Sequence, residues 1–135
     1  MREVCMGDLR HCDRYLPKRG AYIVFSPSFT RRGPLINISR EGLSCIYYVN
    51  DTMDARSMDT CVNIRYGNFF LGSLPFRIIS DKRIGTGRFG PFKMVRQRSL
   101  IFEALSVSQV VQVDYFIQNF TRLKYDFLEG PSAYR

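Results

Sequence analysis

Apolar and polar residues alternate along most of this chain, and the period lengthens near its C-terminal end. "AYIVFS" at 21–26 is rich in β-branched and aromatic residues and runs into Pro27, which predicts a first strand. "SPSFTRRG" then reads as a turn or loop, and "PLINIS" as a short second strand. In "GLSCIYYV" Leu43, Cys45 and Tyr47 fall on one face and Ser44, Ile46 and Tyr48 on the other, the pattern of a third strand. "NDTMDARSMD" is polar and reads as a loop or short helix. "TCVNIRYG" alternates again, with Val62, Ile64 and Tyr66 opposite Cys61, Asn63 and Arg65. "NFFLGSLPFRIIS" predicts two strands joined near Gly72, "DKRIGTGRFGPF" a basic Gly-rich loop, and "FKMVRQRSLIFEAL" a last strand with Met94, Leu100 and Phe102 inward.

The period changes after Leu105. Ser106 and Gln109 have the spacing of a capping box, in which a hydroxyl and an amide satisfy the open backbone donors of a helix start. Val110, Val113, Ile117 and Phe120 follow at steps of three or four, predicting an amphipathic helix from about 107 to 124. Strands spaced near ten residues and separated by Gly/Pro turns imply an antiparallel sandwich or barrel. The expected architecture is an all-β barrel of six or seven strands closed by a C-terminal α-helix, one domain over 1–125 with a short tail at 126–135.

Composition narrows the function. A chain of 135 residues fits one domain with a buried core, and 45% hydrophobic residues exclude a disordered polymer. The formal charge is +8. Residues 1–40 hold eight basic residues against three acidic ones, a net +5, so most of the excess lies in the first third. That balance favours an anionic partner, although a solvated basic face would account for the charge alone. Cys5, Cys12 and His11 could supply at most three metal ligands from one segment, and the four cysteines form no CxxC pair, so no metal site is expected. Cys45 lies in an apolar run and reads as a small buried hydrophobe. No run approaches the roughly 18 apolar residues of a membrane span. With no leader-like segment, a reduced cytoplasmic protein is expected. "GTGRFG" lacks the GK[ST] ending of a P-loop and leads into no helix, so it reads as a hairpin loop. No nucleophile–base or carboxylate pair stands at a meaningful spacing, so no enzyme activity and no cofactor are expected.

Two short motifs remain. Arg10-His11-Cys12-Asp13-Arg14 places two guanidinium groups four apart, where they share one face of either a helix or a strand. A guanidinium grips phosphate with two parallel bonds, meets guanine O6 and N7 in the same fork, and stacks on purine rings. Asn37-Ile38-Ser39-Arg40-Glu41-Gly42 offers an amide and a hydroxyl at alternate positions, with Gly42 expected to supply a left-handed backbone at the turn. Each motif alone is weak. Together, with Asn37 standing 23 positions after Arg14, they are far more specific.

In this order and spacing the chain resembles the PilZ family of bacterial cyclic di-GMP receptors, whose signature is RxxxR followed by [D/N]xSxxG. "RYLPKRGAYIVF", "SLPFRIISD" and "VSQVVQVDYFIQNFT" look like its first strand, a late strand and its closing helix. The resemblance implies a six-stranded antiparallel barrel with a C-terminal helix, and a nonenzymatic sensor that responds to cyclic di-GMP and signals through a separate protein. It implies that Arg10 and Arg14 clamp phosphates and guanine edges from a segment that folds over the ligand, that Asn37 and Ser39 bind a guanine, and that Gly42 gives backbone access. Leu9 precedes RxxxR where many members carry another arginine, and Asn37 replaces the commoner Asp, keeping the acceptor without its charge.

The alternative is a basic barrel of the OB type that binds single-stranded nucleic acid, with Tyr22, Phe25, Tyr47 and Tyr48 as stacking platforms. Those aromatics also sit where strands need core residues, which weighs against it.

Overall fold

The computed structural model describes residues 13–50, 58–85 and 92–125. In chain order these form β1 (Arg14–Pro17), β2 (Tyr22–Ser26), β3 (Arg32–Ile38), β4 (Gly42–Asn50), β5 (Cys61–Tyr66), β6 (Phe69–Gly85), β7 (Phe92–Phe102), α1 (Val107–Phe120) and β8 (Thr121–Tyr125). The strands are antiparallel in the order β2-β5-β6-β7-β4-β3-β1-β8, and β2 also pairs with β3. That extra pairing closes β2, β5, β6, β7, β4 and β3 into a ring, the six-stranded barrel that the resemblance implied and one of the two strand counts the alternation allowed. β1 and β8 extend the sheet beyond β3.

Closure follows from how β3 divides its length. Its start pairs with β2 (Arg32 with Val24, Pro34 with Tyr22), while its end pairs with β4 and, at Ile38, with Tyr15 of β1. At Gly33 a Cβ would lie 1.9 Å from the Ile46 carbonyl oxygen, so only glycine lets β3 run this close to β4.

Alternation supplies the core. Ile23 and Phe25, Leu43, Cys45 and Tyr47, Val62 and Ile64, and Leu100 are buried, as the period-two pattern requires. Asn63 departs from it, being buried although it alternates with Val62 and Ile64. Here β6 presents Gly72 and Ser73 against Asn63 alone, a bulge in which Ser73 takes φ 59. The Asn63 amide satisfies the distortion: its Oδ1 accepts from Ser73 N at 2.8 Å, and its Nδ2 donates to Val24 O at 2.8 Å. The bend expected near Gly72 is therefore real, but the chain continues as one 17-residue strand. β6 stays paired with β5 as far as Pro75 and then pairs with β7 from Phe76 to Gly85, so Asp81–Gly85, read from sequence as loop, is strand. Residues 86–91 lie outside the described part.

The helix is shorter than its periodicity suggested. Ser106 and Gln109 form the capping box, with Gln109 N donating to Ser106 Oγ at 3.1 Å and Ser106 N to Gln109 Oε1 at 3.0 Å. Gln109 Nε2 also donates to Ser73 O at 2.9 Å, tying the helix start to the β6 bulge. Val113, Phe116 and Ile117 are buried, whereas Val110, expected inward, is exposed. Phe69 meets Phe116 and Phe120 with ring centres 5.8 and 5.1 Å apart, and this aromatic cluster seats α1 on the barrel. The helix ends at Phe120 because Thr121–Tyr125 pairs with β1 (Leu16 with Leu123, Tyr15 with Lys124). Helical spacing cannot reveal that distant partner.

Candidate functional site

β1 delivers Arg14 to the barrel wall. Arg14 is only 3% exposed. Its Nε donates to Asn37 Oδ1 at 2.9 Å, its Nη2 donates to the same oxygen, and Nη2 also reaches Ser44 Oγ at 3.3 Å. Asn37 pairs across the ladder with Ser44 and Ser44 with Ser99, whose hydroxyls lie 2.8 Å apart. Arg14, Asn37, Ser44 and Ser99 thus make a hydrogen-bonded polar row across β1, β3, β4 and β7. It lies on the face opposite Leu43, Cys45 and Leu100, which point into the core. Ser44 and Ser99 were not among the expected site residues. Their signal was available in the alternation, which sets Ser44 opposite Leu43 and Cys45.

The second motif continues into the turn between β3 and β4. Ser39 is fully buried, and its hydroxyl accepts from Glu41 N at 3.1 Å and Gly42 N at 3.2 Å. Ser39 N donates to Gly42 O at 2.8 Å. The hydroxyl closes the turn on itself, as serines in such turns commonly do. Gly42 needs correction as well: it does not adopt a left-handed backbone. A Cβ there would lie 2.0 Å from the Leu100 carbonyl oxygen, so glycine is required by the close approach of β4 to β7. Arg40, inside the same motif, donates to Asp114 of α1 at 2.7 Å, an exposed contact that links the turn to the helix but contributes little stability.

The structure therefore brings Arg14 and Asn37 into direct contact and places Ser39 and Gly42 as the framework of the adjoining turn. Arg10 lies outside the described residues, as do Cys5, His11 and Cys12.

Neither a protein-family model nor a curated protein sequence matches the chain at a significant level. In structure it is similar to the PilZ domain with c-di-GMP of YcgR from Escherichia coli, with a TM-score of 0.59 and 12% sequence identity, covering 82% of this chain and 89% of that chain. The chain folds as a PilZ-like domain.

A second polar cluster occupies the interior of this PilZ-like barrel. Asp81 Oδ1 accepts from Arg96 Nε at 2.5 Å, and Oδ2 accepts from Arg98 Nε at 2.8 Å and from the Tyr47 hydroxyl at 2.5 Å. A second bulge on β6 decides this. Ile78 pairs with Leu100 but Ser80 with Ser99, so Ile79 is extra and Asp81 faces Arg98 where an even ladder would put Ser80. Burial pushes the Asp81 carboxyl up, but hydrogen bonds from Tyr47, Arg96 and Arg98 more than offset it and hold its pKa below the ordinary 3.8. Burial, then the bond to Asp81, pushes the Tyr47 hydroxyl up to about 12. Burial likewise pushes the Cys45 thiol up to about 12, in keeping with a thiol that packs rather than reacts.

The stacking platforms of a nucleic-acid barrel are not all available. Phe25 and Tyr47 are 0% and 1% exposed, and their rings pack against each other 5.8 Å apart. Among the described residues, no helix is long and apolar enough to cross a membrane.

Proposed function

We propose that this chain is a receptor for cyclic di-GMP. The observation that carries the reading is the meeting of Arg14 and Asn37, the last arginine of RxxxR and the first residue of NxSxxG, on one polar row of a PilZ-like barrel. A structural neighbour is a PilZ domain with c-di-GMP, which supports the same ligand here. Arg10 and Arg14 grip phosphate and guanine edges, Asn37 offers its amide to guanine, and Ser39 and Gly42 hold the turn that presents them. Arg14 and Asn37 already bond each other, so the ligand must share or replace that bond. Such an exchange on β1 moves β8 and the end of α1, which pair with and follow from it. In this reading, that coupling is how a nonenzymatic receptor would signal to a separate protein partner in the reducing cytoplasm.

Calorimetric titration tests the reading, with GTP, GMP and cyclic di-AMP as controls. The expected binding free energy is about −8 kcal/mol or somewhat more favourable. Arg10→Ala should weaken binding at least tenfold through loss of a charge-assisted contact. No heat and no melting shift up to millimolar cyclic di-GMP would remove the proposal.

A further inference from the structure

The polar row that holds Arg14 runs on past Ser44. Ser99 of β7 stands across the ladder from Ser44, and Ser80 of β6 stands across from Ser99, so hydroxyls continue onto two strands that carry neither motif. Arg14 Nη2 reaches Ser44 Oγ at 3.3 Å, and Ser44 Oγ lies 2.8 Å from Ser99 Oγ. Ser44 is 6% exposed, Ser99 is partly exposed and Ser80 is open to solvent. The row thus leads from a buried guanidinium to hydroxyls that a ligand can reach.

Elementary hydrogen-bond chemistry places the protons along it. A guanidinium only donates, so Ser44 Oγ accepts from Arg14. The buried Ser44 hydroxyl then needs an acceptor for its own hydrogen, and Ser99 Oγ is that acceptor. Ser99 in turn keeps an O–H of its own, and among the described residues it has no second hydrogen-bond partner. The chain begins at a fixed positive charge, so each hydroxyl polarises the next and the last becomes a stronger donor than an isolated serine. A donor of that kind suits a negatively charged oxygen.

We infer that Ser99 is a ligand-contacting residue at the end of this chain, donating its hydroxyl to a phosphate oxygen of the cyclic di-GMP that Arg14 grips. The inference rests on the cyclic di-GMP reading and adds to it a residue of β7 that lies outside RxxxR and NxSxxG. Steps of 3.3 and 2.8 Å keep the guanidinium and the Ser99 hydroxyl close enough for the oxygens of one phosphate to accept from both. Arg14 supplies the charge, and Ser99 fixes where on the row the phosphate settles.

Calorimetric titration of the whole chain with cyclic di-GMP tests this. Ser99→Ala should weaken binding about tenfold, the loss expected for a hydrogen bond to a charged acceptor. Ser99→Thr keeps the hydroxyl on a strand that accommodates a β-branched residue, and its affinity should stay close to the parent's. In a Ser44→Ala background the Ser99→Ala replacement should cost clearly less, because the link to the Arg14 charge is already cut. The phosphorus-31 resonance of the bound ligand should shift between parent and Ser99→Ala, a change that a merely structural serine would not produce. An unmutated chain that takes up no cyclic di-GMP would remove the receptor reading and this inference together. A parent that binds, with Ser99→Ala binding equally well, Ser99→Thr as weak as Ser99→Ala, equal costs in the two backgrounds, or an unmoved phosphorus resonance, would overturn the inference and leave the receptor reading standing.

Discussion

Arg14 and Asn37, 23 residues apart in the chain, share a hydrogen bond of 2.9 Å from the guanidinium Nε to the amide Oδ1. One residue of each signature motif therefore serves as the other's partner. An asparagine here accepts the bond without a full negative charge, so a phosphate of the proposed ligand would compete for Arg14 against a neutral acceptor rather than a carboxylate.

Arg14 has a structural role beside the proposed binding one. Read from sequence alone, it belongs to a segment preceding the barrel that folding could do without, but in the structure it is buried within β1. Arg14→Ala should cost about 2 kcal/mol of folding stability, since Asn37 and Ser44 lose their common donor in a shielded position. Urea denaturation measures that loss. Calorimetry on the folded variant should show binding weakened at least tenfold, and a variant as stable as its parent would mean the buried contact contributes nothing.

The turn at Ser39–Gly42 should respond in two distinguishable ways. Ser39→Ala should cost about 1 kcal/mol, because Glu41 N and Gly42 N lose their acceptor, and should weaken cyclic di-GMP through a looser turn. Nonspecific binding to single-stranded DNA, if any, should not change, since it follows net charge and salt. Gly42→Ala should be worse, at about 3 kcal/mol, because the new Cβ would sit 2.0 Å from a backbone oxygen of β7. Denaturation midpoints that ranked the two the other way would contradict the close approach.

Asp81 makes stability depend on acid. Its pKa is depressed in the folded state, so the stabilisation it contributes is complete above the ordinary value of 3.8 and is lost as pH falls through the lower folded value. Tyr47 acts on the alkaline side: its raised pKa contributes stability below about 10 that is lost as pH rises toward about 12. Urea midpoints below pH 4 should fall less steeply in Asp81→Asn than in the parent, even though the variant starts out less stable because Arg96 and Arg98 lose their charge partner. Parallel acid limbs in the two proteins would show that Asp81 does not carry the dependence.

Cys45 should be inert while the barrel is folded. It is fully buried and its thiol is held near 12, so alkylation at pH 8 followed by peptide mass spectrometry should leave it unmodified until denaturant is added. Partly exposed Cys61 should react earlier. Equal rates at the two sites would indicate that the barrel opens locally around β4 on the labelling timescale.

Sequence alone determined what depends on near neighbours. The alternation of Leu43, Cys45 and Tyr47 set the inner face of β4, the Ser106 and Gln109 spacing set the helix start, and the two motifs singled out Arg14 and Asn37 among the candidate site residues, though not their contact with each other. Each of these is a property of a few consecutive residues, where side-chain period and capping chemistry act directly. Tertiary structure decided whatever required a partner far along the chain. Thr121–Tyr125 leaves the helical pattern because β1 offers it a ladder, Gly42 is needed because Leu100 lies against it, and Ser39 is buried in its own turn because β3 and β4 pair there. The interior cluster is the furthest from sequence. One extra residue at Ile79 shifts the β6 register and turns Asp81, not Ser80, toward Arg98, and because successive side chains in a strand point to opposite faces, a single-residue slip is enough to put a carboxylate inside the barrel.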